Sequence, residues 1–306
     1  IQPSLPEDCR QSNLPFCSRE ALAQSDLVFV QHPSSTCKEC PISENHANNA
    51  GIAVPLQHMS TVYGVLSLSL PDRAATQEEL ALVREVGEDL GFALYSIKSE
   101  EERIKHESER EITLRLLRHL HRSSSVWELV SEVTGLLKEW SGCEAVGIRL
   151  VSGESFPCYE TRGFPGEHLW LENSLCGGVE EGEAVRDFEG ASEVECMCGN
   201  VLKGRFDSEQ PFFTENGSFW TNSTTDLLTS TSEEDRQVRT WNQCLGQGYE
   251  SVVLIPLRHG EQTLGLLQFK DSRRRQFSER CLHLLERISE NLALGLAQRQ
   301  AEDGLR

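Results

Sequence analysis

Eleven cysteines stand among the 306 residues, and eight of them fall in two groups. In the later group, Cys196-Met-Cys198 sets two sulfurs on one local turn. Cys176 precedes the flexible pair Gly177-Gly178, and Cys244 ends a polar helical stretch. Four thiolates satisfy a tetrahedral zinc ion and can equally hold an iron–sulfur cluster. The spacing matches neither a finger nor a ferredoxin pattern, and haem fits less well. Free or redox-active thiols and buried small hydrophobes are the competing readings. The earlier group holds Cys9, Cys17 and the C-x-x-C of Cys37-Lys-Glu-Cys40 on a polar loop. It reads as a second metal site or as a surface loop tied by local hydrogen bonds. Cys17, opening a short helix, is expected to have a lowered pKa and thiolate character. Cys143, Cys158 and Cys281 sit in strand-like or helical apolar contexts and read as core; His119 and His121 read as solvated.

A second kind of chemistry is binding. Phe212, Phe213, Phe219, Trp220 and Trp241 are concentrated in one long insert, residues 163–248, with Tyr249 just behind them. Core packing explains most of them. Thr221, Asn222, Thr224 and Arg239 stand among them and would give an apolar cavity its orienting contacts. The candidate ligand-binding set is Phe219, Trp220, Thr221, Asn222, Arg239 and Trp241. Loops of this length inside a domain are usually functional.

The elements that position these residues occur twice. Gly51-Ile-Ala-Val-Pro-Leu56 is followed by Tyr63-Gly-Val-Leu-Ser-Leu-Ser69, and Ser251-Val-Val-Leu-Ile-Pro-Leu257 by Leu264-Gly-Leu-Leu-Gln-Phe269. In each, an apolar run ends at Pro-Leu, a polar turn follows, and a glycine nine residues after the proline lies in a second run. Each then enters a helical pattern, 78–98 and 278–298. A hairpin and helix repeated once predicts a duplicated domain. The earlier copy, with about fifty residues before its hairpin against about a hundred, is expected to be partial. Between them nothing breaks a helix: residues 99–122 predict a solvated connecting helix with a thin apolar seam, which can pair in a parallel homodimer. Ser123-Ser-Ser125 caps an amphipathic helix beginning at Val126. The expected order is a partial domain at 1–98, a connecting helix at 99–122, a complete domain at 123–299 and an exit helix at 300–306.

A net charge of −19 argues against binding a phosphate backbone, so nucleic acid is not an expected partner. Hydrophobic and charged shares of 38% and 25% are those of an ordinary soluble globular protein. No stretch is apolar enough to span a membrane and no signal peptide is visible, so the expected location is cytoplasmic.

With helix, two strands, long insert, hairpin and closing helix in this order, residues 123–299 resemble a GAF domain. Gly248-Tyr-Glu-Ser-Val-Val-Leu-Ile-Pro-Leu257 and Leu264-Gly-Leu-Leu-Gln-Phe269 carry the resemblance, and residues 14–98 look like the second half of another. The resemblance implies an α+β fold: a six-stranded antiparallel sheet flanked by helices, in two copies joined by a long helix. It also implies a ligand pocket around which the later cysteines would converge. The role implied is the input section of a bacterial sensor, most often a histidine kinase, with a kinase or PAS-type domain downstream in the same chain. Phe269-Lys-Asp271 departs from the Asn-Lys pair of cyclic-nucleotide-binding members, no bilin attachment site stands out, and no kinase motif is present. Two alternatives remain: a cysteine-dependent enzyme of the free-methionine sulfoxide reductase type, and a dimerisation spacer.

Overall fold

The computed structural model describes residues 14–37, 49–71, 74–152, 157–164, 179–180, 183–184, 196–236 and 248–304. The chain forms two compact units, residues 1–107 and 108–306. In the first, helix α1 (Phe16–Gln24) leads to strand β1 (Val28–Val30) and a single turn, α2 (Pro33–Thr36). The hairpin β2 (Ala50–His58) and β3 (Thr61–Leu70) follows, and the three strands form an antiparallel sheet in the order β1-β2-β3. Helix α3 (Gln77–Arg122) opens with a reciprocal cap: Glu79 N–H donates to Thr76 Oγ1 at 3.2 Å, and Thr76 N–H donates to the Glu79 carboxylate at 2.7 Å. Its first turns lie tightly on β2. A Cβ on Gly91 would stand 2.3 Å from the Gln57 carbonyl oxygen, so only glycine allows that approach.

The second unit begins inside α3. Helix α4 (Val126–Ser141) is N-capped by Ser125, whose Oγ accepts from Glu128 N–H at 3.2 Å. Strands β4 (Ala145–Leu150) and β5 (Cys158–Arg162) come next, then a two-residue hairpin of β6 (Val179–Glu180) and β7 (Glu183–Ala184). The insert also contributes α5 (Met197–Leu202), β8 (Phe219–Thr221), α6 (Thr224–Ser230) and α7 (Glu233–Arg236). The hairpin β9 (Ser251–His259) and β10 (Gln262–Asp271) and helix α8 (Glu279–Gly304) complete the unit. Among the described residues the sheet has five strands, β5-β4-β10-β9-β8, one fewer than the resemblance implies. The polar helix expected over 232–244 is described only as α7.

The two hairpins share one register. Pro55 pairs with Val65 and Leu56 with Gly64; Pro256 pairs with Leu266 and Leu257 with Gly265. The third strand matches as well, Val28-Phe29-Val30 facing Ala53-Ile52-Gly51 as Phe219-Trp220-Thr221 face Leu254-Val253-Val252. They differ on the other flank. β10 is covered there by β4, whereas among the described residues β3 is an edge strand with Leu68 36% exposed.

Strand alternation sends Val146, Ile148, Leu150, Val253, Ile255, Leu257, Leu267 and Phe269 to one face. Helices α4 and α8 cover it, with Ile112 and Leu116 of α3 in the same core. The end of α3 runs parallel to α8. Glu109 takes a two-pronged pair from Arg280 at 2.6 and 2.9 Å, and further along Arg299 donates to the carbonyls of Leu120 and Ser123. At the far end of β10 the buried Asp271 carboxylate accepts from Arg273 Nε and Nη2 and from Glu144 N–H at 2.7–3.1 Å. Burial pushes its pKa up, but the hydrogen bonds from Arg273 and the backbone outweigh that and hold it below the usual value.

The shared register gives a contrast that thermal unfolding can read. Gly265→Ala would put a Cβ 2.1 Å from the Arg149 carbonyl, forcing β4 away at a cost of about 1–3 kcal/mol. Gly64→Ala meets nothing nearer than Leu56 Cδ1 at 4.0 Å and should change stability by less than about 0.5 kcal/mol. Asp271 supplies a pH signature. Its folded pKa is depressed, so its contribution is present above the unfolded value and lost as pH falls through the folded one. Asp271→Asn should therefore be less stable than the native chain at pH 7, with the gap closing below about pH 4 in melts recorded down to pH 2.5.

Candidate functional site

The other face of the same sheet is buried too, under the insert. Ala145, Val252, Leu254, Leu266, Phe219 and Tyr249 cluster there with Met197, Cys198, Val201, Leu202, Phe212, Phe213 and Leu227. Phe212, Phe213 and Phe219 meet edge-on or tilted, with centroids 5.2–6.1 Å apart. Into this apolar face the strands send three polar side chains. Arg149 of β4 and Gln268 and Lys270 of β10 are 1%, 0% and 0% exposed. The register places them together, since Gln268 pairs with Gly147 and Lys270 with Ala145, so 145, 147, 149, 266, 268 and 270 share one side.

Their surroundings are specific. Lys270 Nζ lies 5.1 Å from the Phe164 ring centroid and 5.7 Å from that of Tyr249, a geometry in which the ring faces attract the ammonium. Phe164 reaches this position because Gly163, at φ +82°, turns the chain beside the Glu144 carbonyl, where a Cβ would stand 1.9 Å from the oxygen. Gly147 leaves room for the Gln268 amide, whose Nε2 is 2.8 Å from the place a Cβ would take. Among the described residues neither Oε1 nor Nε2 of Gln268 has a hydrogen-bond partner. On the insert side, Arg236 donates to Thr231, Asn200 donates to the Arg236 carbonyl, and Arg258 lies over Phe206 with burial pushing its pKa down.

Both ends of β8 are tied to α8. Before the strand, Thr214 Oγ1, Asn216 Nδ2 and Ser218 Oγ donate to the buried Glu286 carboxylate at 2.6, 2.8 and 2.7 Å. After it, Asn222 Nδ2 donates to the Phe277 carbonyl at 2.6 Å while its Oδ1 accepts from Phe277 N–H at 2.9 Å. Phe277 stands two residues ahead of α8.

The candidate residues from the sequence therefore divide. Phe219 and Thr221 point to the insert side of the sheet, and Thr221 Oγ1 donates to the Ser223 carbonyl. Trp220, one residue out of phase, packs against the opposite core. Asn222 commits its amide to the start of α8. Thr224 Oγ1 donates to the Tyr249 carbonyl at 2.7 Å. Arg239, Trp241, Cys9, Cys40, Cys176 and Cys244 lie outside the described residues. Arg149, Gln268, Lys270 and Phe164 were not in the sequence-derived set.

Of the eight clustered cysteines, Cys17, Cys37, Cys196 and Cys198 lie among the described residues. Cys198 is buried in the apolar cluster and Cys196 half-buried at the head of α5. Cys17 and the buried Cys37 are neighbouring thiols, neither in a disulfide. Among the described residues no group of three or more ligands could hold a metal. The expected thiolate at Cys17 is corrected: burial first, and then Cys37, push its pKa up, against the direction a helix start would give. Burial also pushes Cys143 up and carries Cys281 to about 11, as inert core thiols require.

The profile of the GAF domain family matches residues 128–296, more than half of the chain. No curated protein sequence matches. Solved structures similar in fold include the following three. The GAF domain from an Acinetobacter phosphoenolpyruvate-protein phosphotransferase is 13% identical, covering 65% of this chain and 95% of its own, at TM-score 0.42. A domain of a putative two-component sensor histidine kinase from Sinorhizobium meliloti 1021 is 14% identical, covering 60% and 99%, at 0.40. Free methionine-R-sulfoxide reductase from Neisseria meningitidis, in complex with its substrate, is 13% identical, covering 63% and 91%, at 0.42. With its family profile lying across α4, the sheet, the insert and most of α8, the chain belongs to the GAF domain family.

Proposed function

We propose that the chain is the sensory input section of a signal-transduction protein. A small ligand is taken up on the insert side of the β4-β10-β9-β8 sheet, and its presence is relayed through α8 to an output domain, a kinase or PAS-type module, in the same chain. The observation that carries this reading is the double tie of β8. The strand that presents Phe219 to the candidate face is fastened to α8 through Glu286 and through Asn222. A shift of β8 by a fraction of an ångström must then stretch these bonds or move the helix, which is how packed elements convert small displacements into discrete ones.

The parallel pairing of the end of α3 with α8 supports a relay that enters and leaves on the same side of the domain. The matching registers of β1-β2-β3 and β8-β9-β10 support the reading of residues 1–98 as a partial second GAF-like domain, with 99–122 as connector, 123–299 as the complete domain and 300–306 as exit. Leu90, Ile97 and Ile104 recur every seven residues along α3 and are 40%, 57% and 54% exposed, which supports a parallel homodimer through that helix.

Two measurements test this. In light scattering at micromolar concentration the chain should have the mass of a dimer, and Ile97→Glu with Ile104→Glu should halve it without loss of helical circular dichroism. A monomeric native chain removes the dimeric relay. For the sensory role, absorbance and elemental analysis on fresh protein, with thermal-shift screening against metals and small metabolites, should give at least one saturable stabilisation. Stoichiometric zinc or iron would assign the ligand to the cysteines, whereas thiol-dependent turnover of free methionine sulfoxide would replace the sensor with an enzyme.

A further inference from the structure

Two sulfurs meet inside the first unit. Cys17, in the first turn of α1, and Cys37, the residue that ends α2, share a thiol–thiol hydrogen bond, and neither is in a disulfide. The sheet beneath explains the meeting. Ser69 pairs with Gly51 and Ser67 with Ala53, so these four positions face one side of the β2-β3 ladder. Ser18 Oγ lies 3.3 Å from Ser67 Oγ, and the Pro33 ring lies 3.4 Å from where a Cβ on Gly51 would stand. Helices α1 and α2 therefore sit side by side on that face, over rows about 7 Å apart. Cys17 is next to Ser18 in the chain, and Cys37 N–H donates to the Pro33 carbonyl at 2.7 Å. Each sulfur is held by an element anchored on the hairpin.

The two thiols differ in access. Cys37 is 3% exposed, whereas Cys17 is half-buried. A reagent from solvent reaches Cys17 first, and Cys37 is the partner already in contact with it. Burial, and then Cys37, push the Cys17 pKa up, so this thiol is protonated at rest. Once ionised, a thiolate of higher pKa is the stronger nucleophile towards a disulfide sulfur. That favours slow exchange with a small disulfide over rapid capture of peroxide.

We propose that Cys17 and Cys37 form a reversible disulfide by exchange with a low-molecular-weight disulfide such as glutathione disulfide. The Cys17 thiolate attacks one sulfur of the reagent, making a mixed disulfide and releasing the first small thiol. The Cys37 thiolate then attacks the Cys17 sulfur, closing the protein disulfide and releasing the second. Two protein thiols lose two electrons, the reagent gains them, and the thiol protons pass through solvent to the leaving thiolates. The new bond closes the loop of residues 17–37 and joins α1 to the segment after β1, which stabilises the oxidised first unit. This site is separate from the ligand face of the second unit and stands or falls without it.

The test uses the full chain. Cleavage after Arg10, Arg19 and Lys38 places Cys9, Cys17, Cys37 and Cys40 on four different peptides. The reduced chain is equilibrated in glutathione buffers of rising oxidised share, alkylated, digested without reductant and read by mass spectrometry. Peptides 11–19 and 20–38 should appear joined as the oxidised share rises, and separate again with dithiothreitol. The oxidised chain should melt about 5–15 °C above the reduced one. Cys17→Ser should abolish both the link and the shift, whereas Cys9→Ser with Cys40→Ser should keep them. Should Cys17→Ser fail to fold, Cys37→Ala and the native peptide map read the same link. Full alkylation of both thiols at every buffer ratio overturns the proposal. So does a link from either peptide to Cys9 or Cys40, a mixed disulfide on Cys17 that never closes, or an oxidised chain that melts below the reduced one.

Discussion

The constraint on which the second unit turns is that its sheet is buried on both faces. β10 runs between β4 and β9, with α4 and α8 packed on one side and the insert on the other, so every side chain from Leu264 to Asp271 is removed from water. A strand in that position ordinarily reads as an unbroken apolar run. β10 keeps the rule on one side, with Leu267 and Phe269, and breaks it on the other, with Gln268 and Lys270. The departure is costly in a way no surface residue is, because water cannot compensate.

The same burial explains why β8 matters beyond its three residues. Beyond its ladder with β9 it is supported by a backbone bridge to the preceding segment, Trp220 N–H donating to the Phe212 carbonyl at 2.9 Å, and by side-chain bonds to α8 and to Phe277 just ahead of that helix. A short strand held this way has fewer ladder bonds to break than β10 and more direct side-chain connections to α8. Glu286 and Asn222 fasten the two ends of β8 to α8 and to the residue just ahead of it. Their bonds satisfy groups at the two ends of a single strand, so strand and helix move as a unit.

Much of the scaffold was legible because periodicity and turn chemistry are local. The Pro-Leu, turn and Gly pattern marked both hairpins, and the run without Pro or Gly beyond Phe92 marked α3. The site was less legible because it depends on which strand lies beside which. In isolation, Leu-Leu-Gln-Phe-Lys-Asp reads as alternation, apolar inward and polar to solvent. Only the presence of the insert over the polar side makes Gln268 and Lys270 interior, and that is a fact of tertiary packing. Trp220 and Asn222 show the complementary difficulty. Adjacent to Phe219 in sequence, they are separated from it by the pleat, which sends Trp220 through the sheet, and by the end of the strand, which frees Asn222 to reach Phe277. Composition alone cannot resolve a one-residue change of face.

The repeated ladder supplies an internal comparison for the buried polar positions of β10. Carrying the shared register back into the first unit, the places of Gln268 and Lys270 are taken by Ser67 and Ser69. Ser67 shares a hydrogen bond with Ser18 at 3.3 Å and Ser69 accepts one from Asn49 at 2.9 Å, so these positions are satisfied. β3 is an edge strand among the described residues, where a small hydroxyl can also reach water, and there is no counterpart of β4 to supply an Arg149. The two ladders thus share backbone pairing and differ in what the pairing buries. Since the pairing is common to both, it cannot be what keeps Gln268 in place. The amide is specific to the ladder that is covered on both faces, where water cannot offset its burial and its cost is highest.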